Sequence, residues 1–185
     1  SFQTHLNSIA SITTEHFSNL PSPHIGPETV VELSKHIQKR LSNEKFDGIV
    51  ITHGTDTLEE TAYMLELLSP CKHPIVLTGA MKSSNELGAD GPNNLLSAVR
   101  VATCSETEHL GVVVVMNDEI HAAKYVTKMH TSSIAAFESP LAGPVGIVTK
   151  LNVIFFNKPK PDVQLPVRQI KKRVHLLKLY SGVDH

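Results

Sequence analysis

Three short apolar runs recur along the chain, Gly48-Ile49-Val50-Ile51-Thr52, Pro74-Ile75-Val76-Leu77-Thr78 and Gly111-Val112-Val113-Val114-Val115-Met116, and each leads into small or polar residues. None of them alternates apolar with polar side chains. Continuous runs of this length belong to strands buried on both faces, as in a parallel sheet covered by helices. Segments of helical period lie between and around them. Residues 27–42 follow Gly26, a cap, with Pro27 at the first helical position, and place Val30, Leu33, Ile37 and Leu41 on one stripe. Residues 57–68 carry Leu58, Ala62, Leu65 and Leu68 at the same spacing, and a third helix after Asp90-Gly91-Pro92 carries Leu95, Val99 and Ala102. Repeated strand–helix units predict a doubly wound α/β domain with a mostly parallel sheet flanked by helices.

The pattern changes after about residue 139. Val145 to Val148 and Val153 to Phe156 predict two short strands joined through Thr149-Lys150-Leu151-Asn152 as a hairpin. Pro159, Pro161 and Pro166, with charges between them, mark a linker over 158–173. Val174 to Leu179 then reads as the first strand of a second, smaller α/β domain, cut short within 174–185. The main domain is placed at 1–157. The chain starts at Ser1, inside what reads as mid-domain, so a fragment incomplete at its amino end is expected.

Composition alters this picture little. Apolar residues make up 41% and charged residues 19%, with 17 basic side chains against 18 acidic ones. That balance offers no basic face for nucleic acid. No run of about 18 apolar residues predicts a membrane span. Trp is absent and aromatics are 5%, so the core must rest on aliphatic packing. Cys71 and Cys104 show no metal-ligand spacing, and Cys104 is placed on an apolar helix face as a core residue. The 11 histidines scatter without a His-Glu-x-x-His element, so no metal site is expected.

The candidate chemistry lies in His53-Gly54-Thr55-Asp56-Thr57, between the first strand and the helix that follows it. Ligands of open α/β sheets bind at the carboxyl ends of strands, and a helix amino terminus stabilises anionic groups. Thr57 with Glu60 fits a capping box, which gives both a structural reason. Thr55 and Asp56 stay open to two readings, residues of the cap region or a catalytic pair. A threonine hydroxyl needs a base nearby. A lysine poised by burial and a neighbouring carboxylate would serve, and Lys128 follows the third strand. Residue type alone also reads Lys128 as an ordinary exposed lysine. His121 and His130 flank it and are expected at surface or supporting positions, with His130 able to tune the amine. Lys171-Lys172-Arg173 reads as a solvated linker face.

Ile51 to Ala62, around the His-Gly-Thr-Asp-Thr run, resembles the second signature of the bacterial-type L-asparaginases. Further stretches match in order: Val76 to Met81, Ala89 to Leu95, Val126-Thr127-Lys128 with Thr131, and Phe137 to Pro140 with Gly143-Pro144. The resemblance spans about residues 20–185. It implies that Thr55 is the second active-site threonine, Lys128 its proton partner, and Asp56 the group that holds the lysine and contacts the substrate's amino group. It also implies that Ser22 binds the substrate α-carboxylate, with the Gly54 backbone and the Ala80 carbonyl completing this side of the site. The implied reaction is hydrolysis of L-asparagine to L-aspartate and ammonia through a threonine acyl-enzyme, without cofactor or metal. The implied partner is a small amino-acid amide, with neither nucleic acid nor membrane, in a homo-oligomer built as a dimer of intimate pairs or a tetramer.

The sequence departs from the family pattern in four places. The first signature, a Thr-Gly-Gly-Thr-Ile run, is absent, and so is most of the second domain, so residues 1–185 are expected to be catalytically incomplete. Pro23 stands where many relatives carry a polar side chain, which removes one contact that bears on asparagine against glutamine. Cys71 matches a position bridged in some secreted members, but the partner position holds Asn43, which favours the cytoplasm. Alternatives on the same scaffold are a glutaminase-asparaginase or the asparaginase-like subunit of an amidotransferase. A catalytically silent α/β binding module is a reading of another class. A flavodoxin-like or receiver-type domain would call for an acidic cluster or phosphate-cradling loop at the first strand, and the visible strand ends offer Thr, Gly and Ala instead.

Overall fold

A computed structural model describes residues 2–43, 46–69, 72–177 and 181–182. Within these, α1 spans Phe2–Ile9, α2 Pro27–Asn43, β1 Ile49–Thr52, α3 Leu58–Leu68, β2 Ile75–Thr78, α4 Gly91–Ala102 and β3 Val112–Met116. Five short strands follow: β4 Glu119–Ala122, β5 Thr127–Lys128, β6 Phe137–Glu138, β7 Gly146–Val148 and β8 Val153–Phe155. The main sheet runs β1-β2-β3-β4-β7-β8, and β5 pairs separately with β6.

Helical crossovers set the first half of this sheet. α3 links β1 to β2 and α4 links β2 to β3, so Ile49, Ile75 and Val112 come into parallel register. The buried runs then divide by alternation. Ile75, Leu77, Val112, Val114 and Met116 face Val30 and Ile37 of α2 and Leu58, Ala62 and Leu65 of α3. Val76, Val113 and Val115 face Ala98, Val101 and Ala102 of α4. Both faces of the strands are covered, which is why no polar position interrupts the runs.

The second half is antiparallel, so the sheet is mixed rather than mostly parallel. Asn117 and Asp118 both adopt left-handed backbone, φ 51° and 61°, and reverse the chain in two residues between β3 and β4. Such turns suit the right-handed twist of paired strands. β4 pairs antiparallel with β3 and with β7, and β7 with β8. The β7–β8 hairpin lies where the apolar pattern predicts it.

α1, which the sequence reading does not predict, packs on α4 and buries only Leu6. Cys104 follows α4 instead of sitting on it, and is half-buried. Cys71 lies outside the described residues. From 156 to 177 the chain forms no helix or strand. It is nonetheless tied to α3 and the residue after it: the Leu165 amide donates to the Leu67 carbonyl at 2.7 Å, and Gln164 Nε2 to the Ser69 carbonyl at 2.6 Å. Lys171, Lys172 and Arg173 are exposed. Residues 174–177, where a strand is expected, have no regular secondary structure, and 178–180 and 183–185 lie outside the described residues.

Candidate active site

The carboxyl ends of β1 and β2 open onto a cleft of about 330 Å³, lined by Thr52, His53, Gly54, Thr78, Gly79, Ala80 and Gly91. Its walls are two loops, 53–57 before α3 and 79–82 after β2. Glycine lets them approach closely. A Cβ on Gly79 would stand 2.6 Å from the His53 carbonyl oxygen, and one on Gly54 would stand 2.8 Å from Ser22 Oγ. Neither gap admits a side chain. Gly54 and Ala80 thus face one cleft, and Ser22, only 4% exposed, packs against Gly54.

Ser22 belongs to a single helical turn, Ser22–His24. Its carbonyl accepts the Thr57 hydroxyl at 2.7 Å. The expected capping box is therefore not formed: Thr57 precedes α3 but makes no side-chain cap hydrogen bond. The hydroxyl instead fastens a segment 35 residues away to the helix start, a long-range use that local spacing does not announce.

Thr55, Asp56 and Lys128 come together. Lys128 Nζ donates to Thr55 Oγ1 at 3.0 Å and to Asp56 Oδ1 at 2.8 Å. The lysine side chain is 16% exposed, which sets aside the solvated reading, while the Asp56 side chain is 65% exposed. Solvent screens a pair of that kind to about 0–1 kcal/mol, so its value lies in geometry more than in stability. An amine within hydrogen-bond reach of a hydroxyl is placed to exchange a proton with it.

Several supporting groups escape sequence reasoning. Glu59, in the first turn of α3, accepts the Thr127 hydroxyl at 2.9 Å on Oε1 and the Lys128 backbone amide on Oε2. In the sequence it reads as an ordinary acidic residue at a helix start. Asp90 accepts the Met81 and Lys82 amides at 3.0 and 2.9 Å and Asn94 Nδ2 at 2.9 Å. Asn94 also donates to the Gly79 carbonyl at 3.0 Å and accepts the Asn117 amide at 3.0 Å. The 79–82 loop is thereby tied to the first turn of α4. His53 Nε2 lies 3.0 Å from Thr61 Oγ1, and burial pushes the His53 imidazole below its usual value, partly opposed by the Gly54 carbonyl.

The two flanking histidines differ from each other. His130 is exposed, and its Nδ1 accepts the Ser132 and Ser133 amides at 3.1 and 3.0 Å. His121 is not at the surface; it is fully buried in β4. Its ring bonds to Ser139 at 3.0 Å.

Fold and site together define an α/β protein that presents a threonine–aspartate–lysine cluster at the carboxyl ends of parallel strands. The chain belongs to the asparaginase family, whose amino-terminal domain model (Asparaginase, N-terminal) matches residues 1–161. It is 41% identical over 168 residues to a probable L-asparaginase of Deinococcus radiodurans, covering 89% of this chain and 51% of that protein. It is 42% identical over 152 residues to L-asparaginase 2 of Bacillus subtilis, covering 82% and 40% respectively. A solved structure, the probable cytoplasmic L-asparaginase of Campylobacter jejuni, superposes with a TM-score of 0.81 at 41% identity, over 84% of this chain and 48% of that one. The chain spans about half the length of the relatives it matches.

Proposed function

We propose that this chain supplies the threonine–aspartate–lysine side of an L-asparaginase site, which hydrolyses L-asparagine to L-aspartate and ammonia. The observation that carries the reading is Lys128 Nζ shared between Thr55 Oγ1 and Asp56 Oδ1, both in the loop between β1 and α3. In this reading Thr55 and Lys128 act as a proton relay. A threonine hydroxyl oxygen adds to the side-chain amide carbon, the carbon–nitrogen bond breaks, and the nitrogen leaves as ammonia with a proton passed through the relay. Water then cleaves the resulting ester to give aspartate and restore the hydroxyl. Asp56 holds Lys128 and receives the substrate's ammonium group. Ser22 and the Gly54 backbone receive the α-carboxylate, and the Ala80 carbonyl accepts from the reacting amide.

The test uses the polypeptide that carries this chain at its natural length. Ammonia release from L-asparagine is measured for wild type, Lys128→Met and Thr55→Val, with folding followed by circular dichroism. Loss of a proton-transfer group costs ~10²–10⁴ in rate, so each variant is expected to lose at least ~10²-fold in kcat. Lys128→Met turnover within about threefold of wild type would refute the relay. L-Glutamine is run beside L-asparagine, because a glutaminase-asparaginase of Pseudomonas aeruginosa is also 40% identical over 154 residues.

The same proposal includes a homo-oligomer, which light scattering would test, and a domain boundary near residue 157, supported by the family match ending at 161. It places the protein in the cytoplasm, supported by the name of the Campylobacter relative, although a Haemophilus influenzae relative is named periplasmic. Among the described residues no helix is long and apolar enough to cross a membrane.

A further inference from the structure

The β5–β6 hairpin carries Lys128, yet it lies outside the six-stranded sheet, and its two strands pair only with each other. Apolar anchors hold it to the body: Val126, Ala136 and Phe137 are buried in the same cluster as Leu58 and Ala62 of α3. Such contacts are non-directional. They keep the hairpin docked without deciding which of its residues stands opposite Thr55. A strand of two residues has little ladder of its own to set register, and a slip of one position turns every side chain to the opposite face.

One carboxylate supplies the missing direction. Both oxygens of Glu59 are committed to β5, Oε1 to the Thr127 hydroxyl and Oε2 to the Lys128 backbone amide. Glu59 stands in the first turn of α3, where the helix amino terminus favours negative charge. It is three residues from Asp56 and four from Thr55. The same short stretch of chain therefore grips Lys128 at both ends, by its main chain through Glu59 and by its amine through Thr55 and Asp56.

We infer that Glu59 is a positioning residue of the site: by bonding the Thr127 hydroxyl and the Lys128 backbone amide it fixes β5 in the register that brings Lys128 Nζ to Thr55. This rests on the reading of Thr55 and Lys128 as the relay and adds the group that aligns it. Because the substrate contacts at Ser22, Gly54, Ala80 and the Asp56 carboxylate all lie outside β5, losing Glu59 acts on turnover far more than on binding.

The experiment compares wild type, Glu59→Ala, Glu59→Gln, Thr127→Val and Lys128→Met in the natural-length protein. It reads kcat and KM for L-asparagine, together with amide hydrogen exchange at Lys128 and Met129. A misplacement of about 1 Å costs ~10²-fold in rate. Glu59→Ala is therefore expected to lower kcat ~10²-fold with KM within about threefold. Its Lys128 amide should exchange faster, while Met129, which donates to the Ala136 carbonyl inside the hairpin at 2.7 Å, keeps its protection. Glu59→Gln retains one acceptor and should recover part of the rate. If Glu59→Ala does not fold, Glu59→Gln and Thr127→Val carry the comparison, each expected to lose ~10-fold in kcat with faster Lys128 exchange. Glu59 variants that turn over like wild type beside an inactive Lys128→Met overturn this inference alone. An active Lys128→Met overturns the relay and this inference with it.

Discussion

His121 stands within β4 with none of its surface exposed. Its Nδ1 lies 3.0 Å from the Ser139 hydroxyl, while Nε2 has no hydrogen-bond partner among the described residues. The Glu119 carboxylate is 3.4 Å from Nε2 and favours the imidazolium. That carboxyl is itself pushed up, first by burial and then by the charge of Glu138. Burial of the ring prevails and lowers the imidazole from 6.5 to about 4. The unfolded chain therefore takes up a proton near pH 6.5, and the folded chain resists it until about pH 4. Stability tied to the neutral ring is complete above the unfolded value and drains away as the pH falls through that window. At about 1.4 kcal/mol per pH unit the loss reaches about 3 kcal/mol by pH 4, or roughly 6–12 °C in melting temperature for a domain of this size.

Burial also raises the carboxyls of Glu66 and Glu119. These protonate sooner in the folded state, so they shift the acid response the other way. His121→Gln isolates the imidazole, because glutamine keeps a polar group for Ser139 and cannot titrate. Urea unfolding of both proteins from pH 7.5 to 4 is the assay. The stability of wild type minus that of His121→Gln should fall by about 3 kcal/mol across the range. A difference that stays flat would show that the ring is hydrated or already paired, and the reasoning from burial would be wrong.

Two further perturbations probe the cleft. Gly54→Ala would put a methyl 2.8 Å from Ser22 Oγ and 2.9 Å from Ser22 Cβ; Ser22 must shift, at a cost of about 1–3 kcal/mol. Losing one substrate hydrogen bond at Ser22 should raise KM for L-asparagine about tenfold, and unchanged KM in steady-state kinetics would remove Ser22 from the proposed binding set. Asp90→Ala leaves the Met81 and Lys82 amides without their shared acceptor, a loss of about 1–3 kcal/mol. Faster hydrogen exchange at Met81 is the readout, and wild-type protection there would show that Asp90 does not hold the Ala80 loop.

The elements that could be read from the amino-acid order are those whose signal is local and repeated. α2, α3 and β1 to β3 fall within one or two residues of their expected bounds, and α4 carries the expected Leu95, Val99 and Ala102, because a stripe at helical spacing or a continuous apolar run needs no distant partner to be recognised. The β7–β8 hairpin was legible for the same reason. β4 was not: Glu119-Ile120-His121-Ala122 carries two titratable side chains in four residues. It becomes a strand because the turn at Asn117 and Asp118 lays it back along β3. β5 and β6, two residues each, hold no period at all. α1 has a single buried residue to announce it.

The site divides in the same way. A Gly-Thr-Asp run between an apolar strand and a helix marks a strand-end loop, so the place of the proposed site could be named from residue order alone. Its composition was decided elsewhere. Lys128 meets Thr55 across 73 positions, and Thr57 reaches Ser22 across 35 instead of capping its own helix. His121 became a core residue because β4 pairs with β3 on one side and β7 on the other. Propensity and hydrophobic period act over a few residues, whereas hydrogen bonds between segments and the dielectric around a side chain exist only once the sheet has brought those segments together.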